Sequence, residues 1–149
     1  ESLDLTQARA GYDFSAGYMR RETSWRWASI NTQSNGIDIG LNLAAGVNET
    51  GGCENVLGVN GTRHLLNPVQ FTFIRQDTNL PWQITSQDGR INLTFTPLNN
   101  RSEKLNLWLL KSNFRQFIGH FSGSIEDNNG VTHQLDGVLG LTEDHFARW

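Results

Sequence analysis

The stretch SWRWASINTQSNGIDIGLNLAAG, residues 24–46, alternates its side chains on both sides of an Asn-Gly pair. Trp25 and Trp27 share one face of the first run, because successive residues of a strand point to opposite faces. After the Asn-Gly pair, isoleucine or leucine occupies every second position from Ile37 to Leu43. Asn-Gly favours a tight turn with positive φ at both central residues. The stretch therefore predicts a β-hairpin.

The same alternation recurs along the rest of the chain, which predicts eight or nine strands and no helix. Turn pairs such as Asn60-Gly61 and Asn129-Gly130 separate the runs, and one run is expected to stop at Pro97. The run RQFIGHFSGSI, residues 115–125, alternates large residues and glycine on one face, as a strongly bent strand requires. We therefore expect an all-β fold, an antiparallel up-and-down meander closing into a β-barrel, since closure removes exposed strand edges.

Length and composition indicate one domain over residues 1–149. The net charge of −3, with acids and bases interspersed, excludes a basic footprint for nucleic acid. No apolar run is long enough to span a membrane. The single Cys53 cannot form an internal disulfide, which favours a reducing, cytoplasmic location. Because the sequence begins at Glu1 and runs soon into strand-like text, we expect it to be part of a longer protein.

Three residues are candidates for acid–base catalysis. Glu143 and His145 are two apart and share a face of the last strand, where a carboxylate and an imidazole can tune each other's pKa. His133 has the same parity but is too far along a regular strand to join them. His120 is a catalytic candidate if its face lines a cavity and a surface histidine if it does not. The alternative for Glu143 and His145 is a solvated strand end. Scattered histidines give no metal motif, and no phosphate-binding loop or other cofactor motif is present.

Aromatic residues are candidates for the wall of a binding site. Trp25 and Trp27 cover a wide strip, and Asn42 on the neighbouring strand places an amide among apolar groups, which is typical of small-molecule sites. Phe71, Phe73 and Phe95 are expected in the same wall. The alternative is that these aromatic side chains only fill the core.

Several blocks together resemble the C-terminal half of the bacterial proteins grouped as domain-of-unknown-function family 2804. They include RRETSWRWAS, GIDIGLNLAAG, ENVLGVNG, PWQITSQDGRINLTFTP, RQFIGHFSG and LDGVLGLTEDHFARW. That family is distantly similar to the lipocalin-like (calycin) superfamily of AttH and carotenoid 1,2-hydratase, whose members pair two barrels in one chain. The resemblance implies a lipocalin-like barrel and a missing N-terminal barrel as its partner. It transfers no catalytic residues, but Glu54, Asn55 and Gln116 lie in the resembling blocks and join the ligand-binding candidates.

Three hypotheses follow for function. The first is binding of an apolar small molecule, such as a lipid or an isoprenoid, in the barrel cavity. The second is a cofactor-free hydratase, lyase or isomerase that acts on an apolar substrate. In the third, this domain is a structural partner of the N-terminal barrel.

Overall fold

A computed structural model describes residues 2, 4–6, 8–14, 16–18, 20–47 and 52–149. Within these residues the chain forms nine strands in one sheet, all paired antiparallel. The strands are β1 (Glu22–Ser34), β2 (Ile37–Ala45), β3 (Val56–Val59), β4 (Thr62–Leu65), β5 (Val69–Thr72), β6 (Trp82–Ser86), β7 (Ile91–Leu107), β8 (Leu110–Glu126) and β9 (Thr132–Arg148). The described residues form no helix, and so they contain no helix long and apolar enough to cross a membrane.

The sheet has the strand order β4-β3-β2-β1-β9-β8-β7-β6-β5 and curls strongly into a half-barrel, as in a lipocalin-like barrel. The predicted all-β meander is confirmed. β4 and β5 are the two edge strands, and the curl brings β5 close to β2. The side chain of Asn55 links β2 to the segment between β4 and β5. It accepts a hydrogen bond from Ala44 N at 2.7 Å and donates one to Asn67 O at 3.0 Å.

The opening stretch forms the predicted hairpin of β1 and β2. Asn35 and Gly36 have φ values of 51° and 76°, the positive values that the turn requires. Ile39, Leu41 and Leu43 of β2 are buried on the concave inner face. The two tryptophans of β1 lie on the convex outer face. The period-2 pattern therefore separated the two faces correctly, although the tryptophans lie outside and not on the expected wall of the barrel cavity.

The prediction that a strand stops at Pro97 was wrong. β7 continues to Leu107, and the pairing of β7 with β8 shifts register between Pro97 and Asn99. A bulge tolerates proline because it interrupts the ladder of backbone hydrogen bonds. The resulting hairpin ends in a turn at Trp108, whose φ is 42°.

A second bulge changes the face on which His133 lies. Phe121 pairs with Val138 but Gly123 pairs with Leu135, so β9 carries one extra residue here, and its Gly137 has a φ of 61°. Beyond this shift His133 is buried on the inner side, whereas Glu143 and His145 face outward. The shared parity of these three residues in the sequence held only for a regular strand.

Large side chains fill the inside of the half-barrel. Trp82, Phe95, Phe117 and Phe121 are all at most 1% exposed. Their rings pack edge to face or tilted, with Trp82 5.0 Å from Phe117 and Phe95 4.8 Å from Phe121 between centroids. Glycine at position 119 leaves room for this packing, since a Cβ there would lie 2.6 Å from the ring of Phe95. The interior is therefore a close-packed core in this region.

Candidate functional site

Six of the residues proposed from the sequence meet on the outer face of β1, β2, β8 and β9. They are Trp25, Trp27, Asn42, Gln116, Glu143 and His145, which we call the outer cluster. Trp25 lies opposite His145 and Trp27 opposite Glu143 in the pairing of β1 with β9. Gln116 lies opposite Glu143 in the pairing of β8 with β9. Antiparallel pairing thus brings together residues that are more than a hundred positions apart.

Hydrogen bonds fix the tryptophan side of the outer cluster. Trp27 Nε1 donates to Asn42 Oδ1 at 2.8 Å, and Asn42 Nδ2 donates to the backbone oxygen of Glu54 at 3.0 Å. Glu54 therefore contributes its backbone here, while its side chain is exposed. Both polar ends of Asn42 are used to orient Trp27 and to hold the segment before β3.

Glu143 and His145 have environments that shift their pKa values in opposite directions. Burial raises the pKa of Glu143, and the nearby Asp13 raises it further, against hydrogen bonds from Gln116 and Trp25. Gln116 Nε2 donates to Glu143 Oε1 at 2.9 Å. Burial lowers the pKa of His145, although Asp144 opposes this. Both shifts favour the uncharged form of the side chain, because burial disfavours the charged form of each group.

Aromatic rings hold the imidazole of His145. Its ring centroid lies 4.1 Å from that of Trp25 and 5.1 Å from that of Phe114. Its Nε2 is 3.0 Å from Ser112 Oγ, and its buried Nδ1 has no partner among the described residues. One ring nitrogen is thus engaged and the other is available.

A groove of about 880 Å³ runs beside the outer cluster. It lies between the outer face of the sheet and residues 8–13, which we call the strap. Asn31 Nδ2 donates to the backbone oxygen of Ala10 at 2.8 Å and so holds the strap over the sheet. Trp27 and Asn42 from the outer cluster line the groove, together with Ile118, Leu139 and Leu141.

Two glycines form part of the groove floor, and the sequence reasoning did not identify them. Gly40 and Gly58 are paired across β2 and β3, and both line the groove. A Cβ on Gly58 would come no closer than 3.6 Å to Gly40 O. This part of the floor therefore carries no side chain, although position 58 has room for one. Glycine inside a strand marks a place where another group can approach the backbone, which was the available signal.

The remaining wall candidates lie on the inner side of the sheet. Phe95 is fully buried, and Phe71 and Phe73 are partly buried against the core. Phe73 stacks on Trp82 with their centroids 3.8 Å apart. The expectation of one wall containing Trp25, Trp27 and these phenylalanines is corrected, since the two sets lie on opposite faces. Asn55 is also buried and is engaged by backbone groups on both sides.

His120 is separate from both sets. It is exposed on β8, paired with Thr96 of β7 and Leu139 of β9. Its neighbours Gly119 and Phe121 point inward. The geometry therefore matches the surface alternative for His120 and does not bring it to Glu143 or His145.

Charged groups inside the half-barrel were missed by the sequence reasoning. Asp144 is 5% exposed and is paired with Arg26, Arg75 and Arg115. Arg26 and Asp144 both occupy inward positions in their strands, opposite each other in the register. A charge at an inward position was the signal that could have identified this cluster.

A second cluster of buried polar side chains joins β4 to the turn between β8 and β9. His133 Nε2 lies 3.1 Å from Asp127 Oδ2, and His64 Nδ1 accepts a hydrogen bond from Asn128 N at 3.2 Å. Burial raises the pKa of Asp127, but hydrogen bonds from His133 and two backbone amides, with the charge of His64, lower it to about 2. Asp127 also closes its own turn, so these contacts stabilise the end of the half-barrel. Over residues 20–47 and 52–149 and the described parts before them, no group of three or more His, Cys, Asp or Glu is placed to hold a metal ion.

Over its described residues the protein is an all-β antiparallel meander of nine strands curled into a half-barrel, an architecture consistent with a lipocalin-like barrel. The family described as "Domain of unknown function (DUF2804)" matches residues 1–149, and the chain belongs to this family. No curated protein and no solved structure matches the chain.

Proposed function

We propose that the protein binds a small apolar molecule, of a lipid or isoprenoid kind, in the groove beneath the strap. The observation that carries this proposal is the groove of about 880 Å³, whose lining combines apolar side chains with the amides of Asn31 and Asn42 and with three charged side chains, those of Arg9, Asp13 and Arg63. Small-molecule sites typically occupy about 300–1,000 Å³ with this composition. The sequence-based hypothesis put the ligand inside the barrel, but the packing of Trp82, Phe95, Phe117 and Phe121 favours the outer face.

Apolar ligand chemistry is supported by the groove's side walls. Ile118 and Leu139 are 39% and 52% exposed, and they project from neighbouring strands beside the ring of Trp27. Burying such surface against a ligand contributes about 25 cal/mol per Å². The hydrogen bond from Trp27 to Asn42 already fixes the indole ring, so Trp27 loses less side-chain entropy when a ligand binds than a freely rotating side chain would.

The test is a fluorescence titration with the uncharged apolar probe N-phenylnaphthylamine. Gly58→Leu places a side chain into the groove floor and should weaken binding by about tenfold or more, a loss of about 1.4 kcal/mol. Gly52→Leu is the matched control, because Gly52 is exposed with nothing within 4 Å of an added Cβ. Equal affinity of Gly58→Leu and the wild type, or no binding by the wild type, contradicts the proposal.

A second candidate function is acid–base catalysis on the bound molecule by Glu143 and His145. The observation that favours it is the proximity of the two features: Asp13 lines the groove, and its charge helps to raise the pKa of Glu143, which itself lies outside the groove lining. In this reaction the Glu143 carboxyl would donate a proton to one alkene carbon, the oxygen of a water molecule would bond to the other carbon, and His145 would take the proton that this water loses; transfer of that proton back to Glu143 through solvent would complete the cycle. Incubation with isoprenoid alkenes in heavy-oxygen water should yield a labelled alcohol with the wild type and none with Glu143→Gln. Equal labelling by both proteins, or none by the wild type, excludes this candidate.

A further inference from the structure

The inner side of the sheet carries a concentration of positive charge at one end of the half-barrel. Asp144 Oδ1 lies 2.7 Å from Arg75 Nη2 and 3.2 Å from Arg26 Nε. Arg115 pairs with the other carboxylate oxygen through Nη2 and donates to the backbone oxygen of Arg75 through Nη1. Three elements and the segment after β5 thus converge on a single carboxylate.

The charges of this cluster do not balance. Three guanidinium groups face one carboxylate, which leaves a formal charge of +2, because arginine stays protonated. The adjacent ends of β1 and β9 add nothing, since Arg148 and Glu22 pair with each other. Glu143 and His145 flank Asp144 in sequence but project from the opposite face of β9. An excess of two positive charges favours an anionic ligand.

Unpartnered polar atoms surround the same place. Within the described residues, Arg115 Nε, Thr142 Oγ1 and Trp82 Nε1 are buried and lack a hydrogen-bond partner. Thr142 lies opposite Phe117 in the register, and Trp82 packs on the ring of Phe117, so both border the arginine cluster. Nearly all buried polar groups in proteins are satisfied, and an exception calls for water or a ligand. All three atoms can donate a hydrogen bond.

We propose that this cluster is a binding site for the oxyanion group of a small organic molecule, a carboxylate or a phosphate. Guanidinium groups match both oxyanions through paired N–H donors. Arg26 and Arg75 have side chains 28% and 49% exposed, so the cluster is open to solvent on the side of these two residues. Arg75 Cζ lies 5.8 Å from the centroid of the Phe73 ring, so an aromatic side chain borders the cluster. This site lies on the opposite face of the sheet from the strap groove and does not depend on it.

Calorimetric titrations with inorganic phosphate and with octanoate test the proposal, with octanol as the uncharged analogue. We expect saturable binding of at least one anion and none of octanol at this site. Saturation by phosphate alone identifies a phosphate ligand, and saturation by octanoate alone identifies a carboxylate. Arg75→Gln should weaken that binding by about tenfold or more, as loss of a charged hydrogen bond predicts. Arg101→Gln is the matched control, because Arg101 pairs with Glu103 on the exposed β7–β8 hairpin.

Gly58→Leu separates this site from the groove. It should leave anion binding unchanged while it removes binding of the apolar probe. Three results overturn the proposal: no saturable heat with either anion up to about 10 mM, equal affinity of Arg75→Gln and the wild type, or loss of octanoate binding in Gly58→Leu. Circular dichroism confirms that each variant is folded, and Arg26→Gln replaces Arg75→Gln if that variant is not.

Discussion

Replacing Gly119 by alanine tests whether the inside of the half-barrel is filled. An alanine Cβ at this position would lie 2.3 Å from Thr96 O and 2.6 Å from a ring carbon of Phe95. Ordinary carbon contacts are about 3.5–4.0 Å, so the neighbours must move by about 1 Å. Phe95 is held by Trp82 and Phe121, which limits that movement. Overpacking of this kind costs about 1–3 kcal/mol.

The matched variant is Gly58→Ala on the outer face, where the nearest atom to the added Cβ is 3.6 Å away. Both changes reduce the entropy of the unfolded chain, which stabilises by about 0.5–1 kcal/mol. Gly58→Ala should therefore gain about 0.5 kcal/mol, and Gly119→Ala should lose about 1–2 kcal/mol. Urea unfolding followed by circular dichroism measures both, with midpoints expected to differ by about 1 M. Equal midpoints would refute the close packing of the interior, and with it the reason for placing the ligand outside.

Three further changes have defined outcomes. Asn55→Ala should lower the free energy of unfolding by about 2 kcal/mol in urea titrations, since it leaves the buried Ala44 N–H without a partner, whereas an unchanged value contradicts the bridging role. The pKa of Asp127 is lowered to about 2 from 3.8, so its stabilisation is complete above pH 3.8 and is lost as pH falls towards 2. In thermal melts between about pH 5 and 2, the melting temperature of the wild type should fall more steeply than that of Asp127→Asn. The same pH dependence in both proteins would contradict this role of Asp127. Trp108→Asn should add about 0.5–1 kcal/mol to the free energy of unfolding and so raise the melting temperature slightly. Trp108 is 88% exposed and has a positive φ, a conformation that asparagine adopts more readily. A lower melting temperature would contradict this relief of strain.

The fold could be predicted because its main signals are local. Asn35-Gly36 sets a hairpin turn, and the alternation in β1 and β2 decides which side chains face the core. Pro97 led to a wrong prediction of a strand end, because proline ends a regular strand but is accepted at a bulge. The bulge opposite Ser122 had the same effect on His133, because the extra residue that β9 carries between Leu135 and Val138 reverses the face of the residues on its other side.

The site could be predicted only in part. Period 2 put Glu143 and His145 on one face and Trp25 and Trp27 on one face, and antiparallel pairing then joined the two pairs. Period alone does not say whether a face is inside or outside, so Phe95 and Trp27 were expected in one wall although they lie on opposite sides. Arg26 and Arg115 lie opposite Asp144 in the pairing of β1 and β8 with β9, but the approach of Arg75 depends on the segment after β5, which no local pattern contains.

A crystal structure of the protein with bound N-phenylnaphthylamine tests the central claim most directly. We predict probe density between the strap and the outer face of β1 and β2, in contact with Trp27 and above Gly58. Probe density on the inner side of the sheet, against Phe71 and Phe73, would contradict the claim.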